Sequence, residues 1–323
     1  MRCTLQTAGE VAVVDAPAPW AERPLRVLGD SGTGAASQTP TVRVRTVTAP
    51  VPDPGVGRRL GRGVATDGEA VVLRSACSSG IDIGMSATED VVEVAAARRP
   101  QLREAILHRL LSRRADLLAA DVLLHYPVLW RAGWRGRVPL HAAALVVEGR
   151  GVLVVGASGV GKTTLVQAEV AAGATFVSDN LVVSDGDNVW GLLEPLRSAA
   201  ATGPRTTHGR RLTPVTARQL RSGVDLVVVL RRDGAWSGCR SLAPLEAARD
   251  LAASTYSAGE LRRYWGFAAT LAAGTGRGPV HPAVTRTAHQ ICTTVPCVEL
   301  ELGDRPGARL SGVLDSMEVG QWT

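Results

Sequence analysis

The chain has 323 residues, 45% of them hydrophobic and only 4% aromatic, with a formal charge of +6. That length buries a substantial core and predicts two domains at about 150 residues each. The positive charge is spread over arginine doublets at 58–59, 98–99, 113–114, 210–211, 231–232 and 262–263 with few aromatics between them, so a solvated arginine-rich surface is expected rather than a nucleic-acid partner. Five cysteines, Cys3, Cys77, Cys239, Cys292 and Cys297, form no C-x-x-C pair, which argues against a disulfide framework and a structural zinc site and for a reducing compartment. Met1–Thr7 lacks the apolar core of a signal peptide, and no apolar run is long enough for a membrane span, so the expectation is a cytoplasmic protein without a membrane partner.

Residues 1–98 read as short strands and turns. Val11–Val14, Thr41–Val47 and Ala70–Leu73 are β-prone, and the second alternates apolar with polar residues. Ser31-Gly-Thr-Gly34 and Pro50-Val-Pro-Asp-Pro-Gly55 interrupt them. No catalytic motif is visible in this region. Residues 99–137 form a helical connector in which Leu102, Ile106, Leu110 and Leu111 share one face and Leu117, Leu118, Val122 and Leu123 follow as a second apolar set; both are expected to pack into a core.

Residues 138–323 carry the chemistry. Strands are expected at Ala143–Val147, Val152–Val155, Thr175–Ser178 and Asp225–Leu230, a hairpin through Asp185-Gly186-Asp187, and helices over Thr163–Ala172, 256–274 and 281–292. Strands alternating with helices indicate an α/β core. Between the second strand and its helix lies Gly156-Ala157-Ser158-Gly159-Val160-Gly161-Lys162-Thr163, which fits the phosphate-binding pattern G-x-x-x-x-G-K-[ST]. Lys162 is the only lysine of the chain; every other basic side chain except histidine is arginine.

Each part of that pattern has a physical role. The glycines let successive N–H groups turn inward toward phosphate oxygens, and the helix behind them offers its positive end to the same anion. Lys162 is placed to bridge phosphates, and Thr163 to offer its hydroxyl to Mg²⁺. ATP or another nucleoside triphosphate, with Mg²⁺, is therefore the expected cofactor. Asp179 follows the strand Thr175–Ser178 and either holds Mg²⁺ or accepts the proton of an attacking hydroxyl, although Ser178-Asp179-Asn180 also suits a hydrogen-bonded turn. Arg197, Arg205, His208, Arg210 and Arg211 fall in a polar stretch that reads either as a phosphate clamp or as solvated surface. Leu261, Tyr264 and Trp265 at helical spacing read as packing.

Leu140-His141-Ala-Ala-Ala-Leu-Val-Val-Glu-Gly-Arg-Gly151, the phosphate-binding pattern and Gly173-Ala-Thr-Phe-Val-Ser-Asp179 together resemble the catalytic domain of HPr kinase/phosphorylase over residues 138–185. The resemblance implies a fold related to phosphoenolpyruvate carboxykinase. It implies catalytic roles for Asp179 as the base toward an acceptor serine, His141 beside the transferring phosphoryl group, and Lys162; nucleotide contacts from residues 156–164, Thr164 included; and Mg²⁺ contacts from Thr163 and Asp179. Asn180 stands where the family has a second aspartate, and Thr164 where its regulatory members have a glutamate, so the resemblance leaves the reverse dephosphorylation open. The family's glycine-rich substrate signature has no copy here, so HPr is not the expected acceptor. The chain looks closer to divergent HPr-kinase-like proteins, some of them in peptide natural-product pathways.

The expectation is thus a kinase acting on a serine of a peptide or protein, with residues 1–98 recognising the acceptor. The alternatives are a kinase of a small hydroxyl metabolite and a nucleotide-binding scaffold that has lost catalysis. Relatives of this fold assemble through the catalytic domain, which raises the expectation of a homo-oligomer.

Overall fold

The computed structural model describes residues 1–26, 38–55, 57–194, 196–198, 211–213, 218–232, 238–303 and 309–318. In chain order the elements are β1 (Arg2–Thr7), β2 (Glu10–Asp15), α1 (Glu22–Arg26), β3 (Val42–Val47), β4 (Arg58–Gly61), β5 (Val64–Thr66), β6 (Ala70–Leu73), β7 (Ile81–Ala87) and β8 (Val92–Arg98). Helices α2 (Leu102–Leu110), α3 (Ser112–Ala120) and α4 (Tyr126–Trp134) follow, with a π-helical stretch at Asp121–His125. Then come β9 (Val138–Leu140), β10 (Ala143–Val147), β11 (Arg150–Val155), α5 (Lys162–Ala171), β12 (Thr175–Ser178), β13 (Val182–Ser184), β14 (Asn188–Gly191), β15 (Leu196–Ser198), β16 (Arg211–Thr213), β17 (Arg221–Gly223), β18 (Leu226–Arg231) and β19 (Gly238–Ser241). The chain closes with α6 (Pro244–Ser257), α7 (Gly259–Thr275), α8 (Val284–Thr294), β20 (Cys297–Glu301) and α9 (Leu310–Glu318). This is a mixed α/β fold.

The chain divides into two compact units, one comprising residues 1–136, 201–214 and 262–282 and the other residues 137–200, 215–261 and 283–323. The first unit is built on an eight-stranded sheet in the order β1-β2-β3-β8-β7-β6-β5-β4. Its β2–β3 and β3–β8 pairs are parallel and the others antiparallel. Strand β3 buries Val42, Val44 and Thr46 and exposes Arg43 and Arg45, so its sequence alternation does mark a half-buried strand. Tyr126 packs near Tyr264 and Phe267, with ring centroids 5.8 and 5.5 Å away.

One expectation for this unit is overturned. Leu102 and Leu110 are 78% and 74% exposed, and Ile106 and Leu111 are also exposed, so the apolar face read along α2 does not reach a core. Periodicity identifies a face of a helix but carries no information on whether another element lies over it. The second set behaves as expected at Val122 and Leu123, both fully buried.

The second unit holds a six-stranded sheet, β12-β10-β11-β18-β20-β19, and a four-stranded antiparallel sheet, β17-β14-β13-β9. In the larger sheet β11, β18 and β20 run parallel, and β10, β12 and β19 are antiparallel to their neighbours. Parallel strands are covered on both faces, which explains the unbroken apolar run Leu226-Val-Val-Val-Leu230. Leu165 and Val166 of α5 and Leu310, Val313 and Leu314 of α9 share a buried cluster with Leu145, Val154, Val228 and Leu300. Helix α6 packs against β11, β18 and β20, and α8 packs against α6.

The strand leading into the glycine loop is fitted closely to the smaller sheet. A Cβ on Gly151 would lie 1.9 Å from the Gly223 carbonyl oxygen and 2.5 Å from Ser222 Oγ, while the Gly151 N–H donates to Asp225 Oδ2 at 2.7 Å. No flexible side-chain end is available to give way to a carbonyl contact of that kind. Gly151→Ala is expected to lower the free energy of urea unfolding by about 3 kcal/mol through overpacking. A loss below about 0.5 kcal/mol, the range of a bland surface change, would contradict that packing.

Candidate functional site

The candidate site residues collect at one edge of the six-stranded sheet because of strand register. Val155 ends β11 opposite Val229 of β18, and Ala143 begins β10 opposite Val154. The loop after Val155, the segment before Ala143 and the segment after β18 therefore emerge at the same edge. Ligands of open α/β sheets gather at the carboxyl ends of parallel strands for this reason.

Two stretches of chain cross together from the four-stranded to the six-stranded sheet. One is β9 to β10, the other β12 to β13, and they are paired on both sides of the crossing, through Leu140↔Val182 and Ala144↔Ser178. His141 occupies the first crossing, and Asp179 and Asn180 the second. Their approach follows directly from that double pairing. His141 is fixed further by its own backbone, whose N–H donates to Thr255 Oγ1 at 3.0 Å and whose carbonyl accepts from Ser254 Oγ at 3.3 Å.

Between β11 and α5 the chain turns through Gly156, Gly159 and Gly161 with φ of +154°, +87° and +123°. At Gly159 and Gly161 this is backbone that L side chains rarely adopt. At Gly161 a Cβ would also come within 3.0 Å of Leu302 Cδ1, so this last glycine is required on two counts. Ala157, Ser158 and Gly159 are exposed, leaving the crest of the loop open to solvent, and Val160 is half-buried.

Lys162 is buried and folds back on the loop, its ammonium donating to the Gly156 carbonyl at 2.6 Å and the Ala157 carbonyl at 3.3 Å. Burial lowers its pKa to about 8, against the opposing pull of Asp179 and Glu260. Thr163 donates from Oγ1 to Asp179 Oδ2 at 3.1 Å. Asp179 is itself buried. Thr164, one position further into the helix, is exposed.

His141 is buried, and its Nε2 lies 3.2 Å from Asn180 Oδ1. An amide oxygen accepts, so in this arrangement Nε2 carries the proton and Nδ1 keeps a lone pair. Burial, with a smaller contribution from the Lys162 charge, pushes the imidazole down to about 4, so it is neutral at physiological pH.

Lys162, Thr163, Asp179 and His141 are thus brought into one cluster. Among the other sequence candidates, Arg205, His208 and Arg210 lie outside the described residues, as do the side chains of Arg197 and Arg211. Tyr264 and Leu261 are fully buried, as packing residues should be. Sequence reasoning had no signal for Thr255 and Ser254, which reach His141 from α6, distant in the chain. It also passed over Arg232, whose Nη2 lies 3.5 Å from where a Gly161 Cβ would stand. The available signal was its place just beyond an apolar strand. All five cysteines are free thiols, and no described group of three His, Cys, Asp or Glu side chains is arranged to hold a metal ion. No described helix is long and apolar enough to cross a membrane.

The class defined so far is a mixed α/β protein with a glycine-rich strand-to-helix loop and a buried cluster of Lys162, Asp179 and His141 at its mouth. No family model and no curated protein matches the chain. Solved structures do match, 45 chains in all. One is the HPr(Ser) kinase/phosphatase from Coxiella burnetii, 14% identical over 57% of this chain and 89% of that one, with a TM-score of 0.28.

The neutral histidine has a measurable consequence. Its folded pKa is about 4 against an ordinary 6.5, so between those values the unfolded chain binds the proton that the folded chain refuses. Stability attributable to His141 is complete above 6.5 and falls as pH drops through that window. In urea unfolding measured across this range, His141→Gln is expected to flatten the pH dependence by nearly one bound proton. An unchanged slope would show that His141 is not held neutral.

Proposed function

We propose that the chain is a Mg²⁺- and ATP-dependent kinase that transfers the γ-phosphoryl group to the hydroxyl of a serine in a peptide or protein. The observation that carries this reading is the contact between Thr163 Oγ1 and Asp179 Oδ2 at the mouth of the glycine loop, beside the chain's only lysine. A buried carboxylate at that point suits a phosphoryl transferase, whose acceptor hydroxyl must lose its proton.

The residues fit a magnesium ion that arrives with the nucleotide. Mg²⁺ prefers oxygen ligands, keeps several waters and binds through one or two protein oxygens plus phosphates. Thr163 Oγ1 and Asp179 Oδ2, 3.1 Å apart, are such a pair. When bound, the ion would supply neutralisation of phosphate charge.

The remaining roles belong to the chain. Residues 156–163 wrap the phosphates with backbone N–H groups at the positive end of α5. Lys162 exchanges its two carbonyl contacts for phosphate oxygens, a stronger charge-assisted interaction. Asp179 accepts the proton of the acceptor hydroxyl as the oxygen attacks. His141, neutral and oriented by Asn180, offers its Nδ1 lone pair to a hydrogen-bond donor in the site. With Asn180 an amide, Asp179 is the carboxylate of the pair. We assign acceptor recognition to the strand-rich residues 1–98.

The test uses γ-labelled ATP with a library of serine-containing peptides and, in parallel, a panel of small hydroxyl metabolites. The wild-type protein is expected to label serine peptides. Lys162→Ala and Asp179→Asn should each reduce transfer at least about 100-fold, with Asp179→Asn still binding ATP. Full transfer by either variant would refute the assignment of roles, and labelling confined to the metabolites would refute the acceptor class.

A further inference from the structure

Arg232 follows β18, the strand hydrogen-bonded in parallel to the one that enters the glycine loop. With Val229 opposite Val155, Leu230 stands level with Gly156, where a Cβ would lie 3.2 Å from the Leu230 carbonyl oxygen. Arg232 is two residues further on, beside the loop. Its Nη2 approaches Gly161, the glycine that opens α5, to 3.5 Å from an ideal Cβ position.

Its neighbour behaves differently. Arg231 is consumed by structure, bonding Asp250 at 2.5 Å and Glu299 at 3.2 Å. Arg232 is exposed and has neither a hydrogen bond nor an ion pair with any described residue. The sequence thus sets an arginine with structural partners beside one whose guanidinium rests against the loop, where the positive end of α5 and the Lys162 ammonium already lie. The guanidinium adds a further positive group at the edge of the loop, where an arriving anion would meet it together with the end of α5.

We propose that Arg232 is a second cationic contact to the phosphate chain of the donor, added to Lys162 from the adjacent strand. This rests on the nucleotide-binding reading of the loop and extends it. The planar guanidinium grips two oxygens at once, whereas the lysine acts as a point charge, so the pair divides the work of holding a triphosphate. Because it recognises phosphate rather than the nucleoside, Arg232 acts equally on ATP and on inorganic tripolyphosphate.

The experiment is calorimetric titration of the full chain with ATP and with tripolyphosphate across a series of salt concentrations. Variants are Arg232→Gln, Arg232→Lys and, as a charge-matched control at an exposed pair with Glu93, Arg43→Gln. Arg232→Gln should weaken both ligands by about tenfold and reduce the salt dependence, Arg232→Lys should recover part of the loss, and Arg43→Gln should bind as the wild type does. Unchanged affinity in Arg232→Gln overturns the proposal while leaving the loop reading intact. An equal loss in Arg43→Gln overturns it in favour of net charge. Failure of the wild-type protein to bind either ligand overturns both the proposal and the nucleotide-binding reading beneath it.

Discussion

The parallel pairing of β11 with β18 is the constraint on which the site depends. It sets where β11 stops, and so where the glycine loop opens, and it brings the end of β18 level with that loop. The antiparallel partner β10 adds the other boundary, since Ala143 opposite Val154 fixes His141 at the same edge. A shift of one residue in either register would invert the faces of strands buried on both sides and dissolve the arrangement. The candidate cluster is therefore held by the sheet's hydrogen-bond ladder more than by contacts among its side chains.

A second consequence of the sheets is the economy with which charge is buried. Lys162, Asp179 and His141 are all removed from solvent, a costly placement unless partners compensate. The lysine has two carbonyls, the aspartate has the Thr163 hydroxyl, and the histidine avoids the cost by remaining neutral. Arg232 stands apart from this set, exposed and without a described counter-ion at the edge of the loop. The cluster is internally balanced, and Arg232 adds an exposed positive charge beside it where a polyanion would arrive.

Much of this was legible in the sequence, and the reasons differ by element. The glycine loop could be read because its glycines, lysine and threonine answer to local backbone geometry, and the flanking strand and helix fall within a residue or two of their expected limits. Strands β3, β6, β10 and β12 were visible through alternation or apolar runs. The environment of His141 was not, because Thr255 lies more than a hundred residues away and joins it only through the packing of α6. Asn180 read as a lost carboxylate, whereas its oxygen orients the imidazole. The exposed leucines of α2 show the opposite error, a pattern that promised burial where no described element supplies it. Arg232 was hidden among the arginine doublets, since its meaning comes from the neighbouring strand and not from its neighbours in sequence.

Because Lys162 is the only lysine, the central claim can be observed at a single nucleus. Protein labelled with ¹⁵N-lysine should give one side-chain Nζ signal, titrating near the value of about 8 that burial imposes. If the loop holds a triphosphate, adding ATP with Mg²⁺ will move that signal and raise its titration midpoint, as a phosphate partner stabilises the ammonium. A lysine signal and midpoint indifferent to saturating ATP would contradict the account at its base.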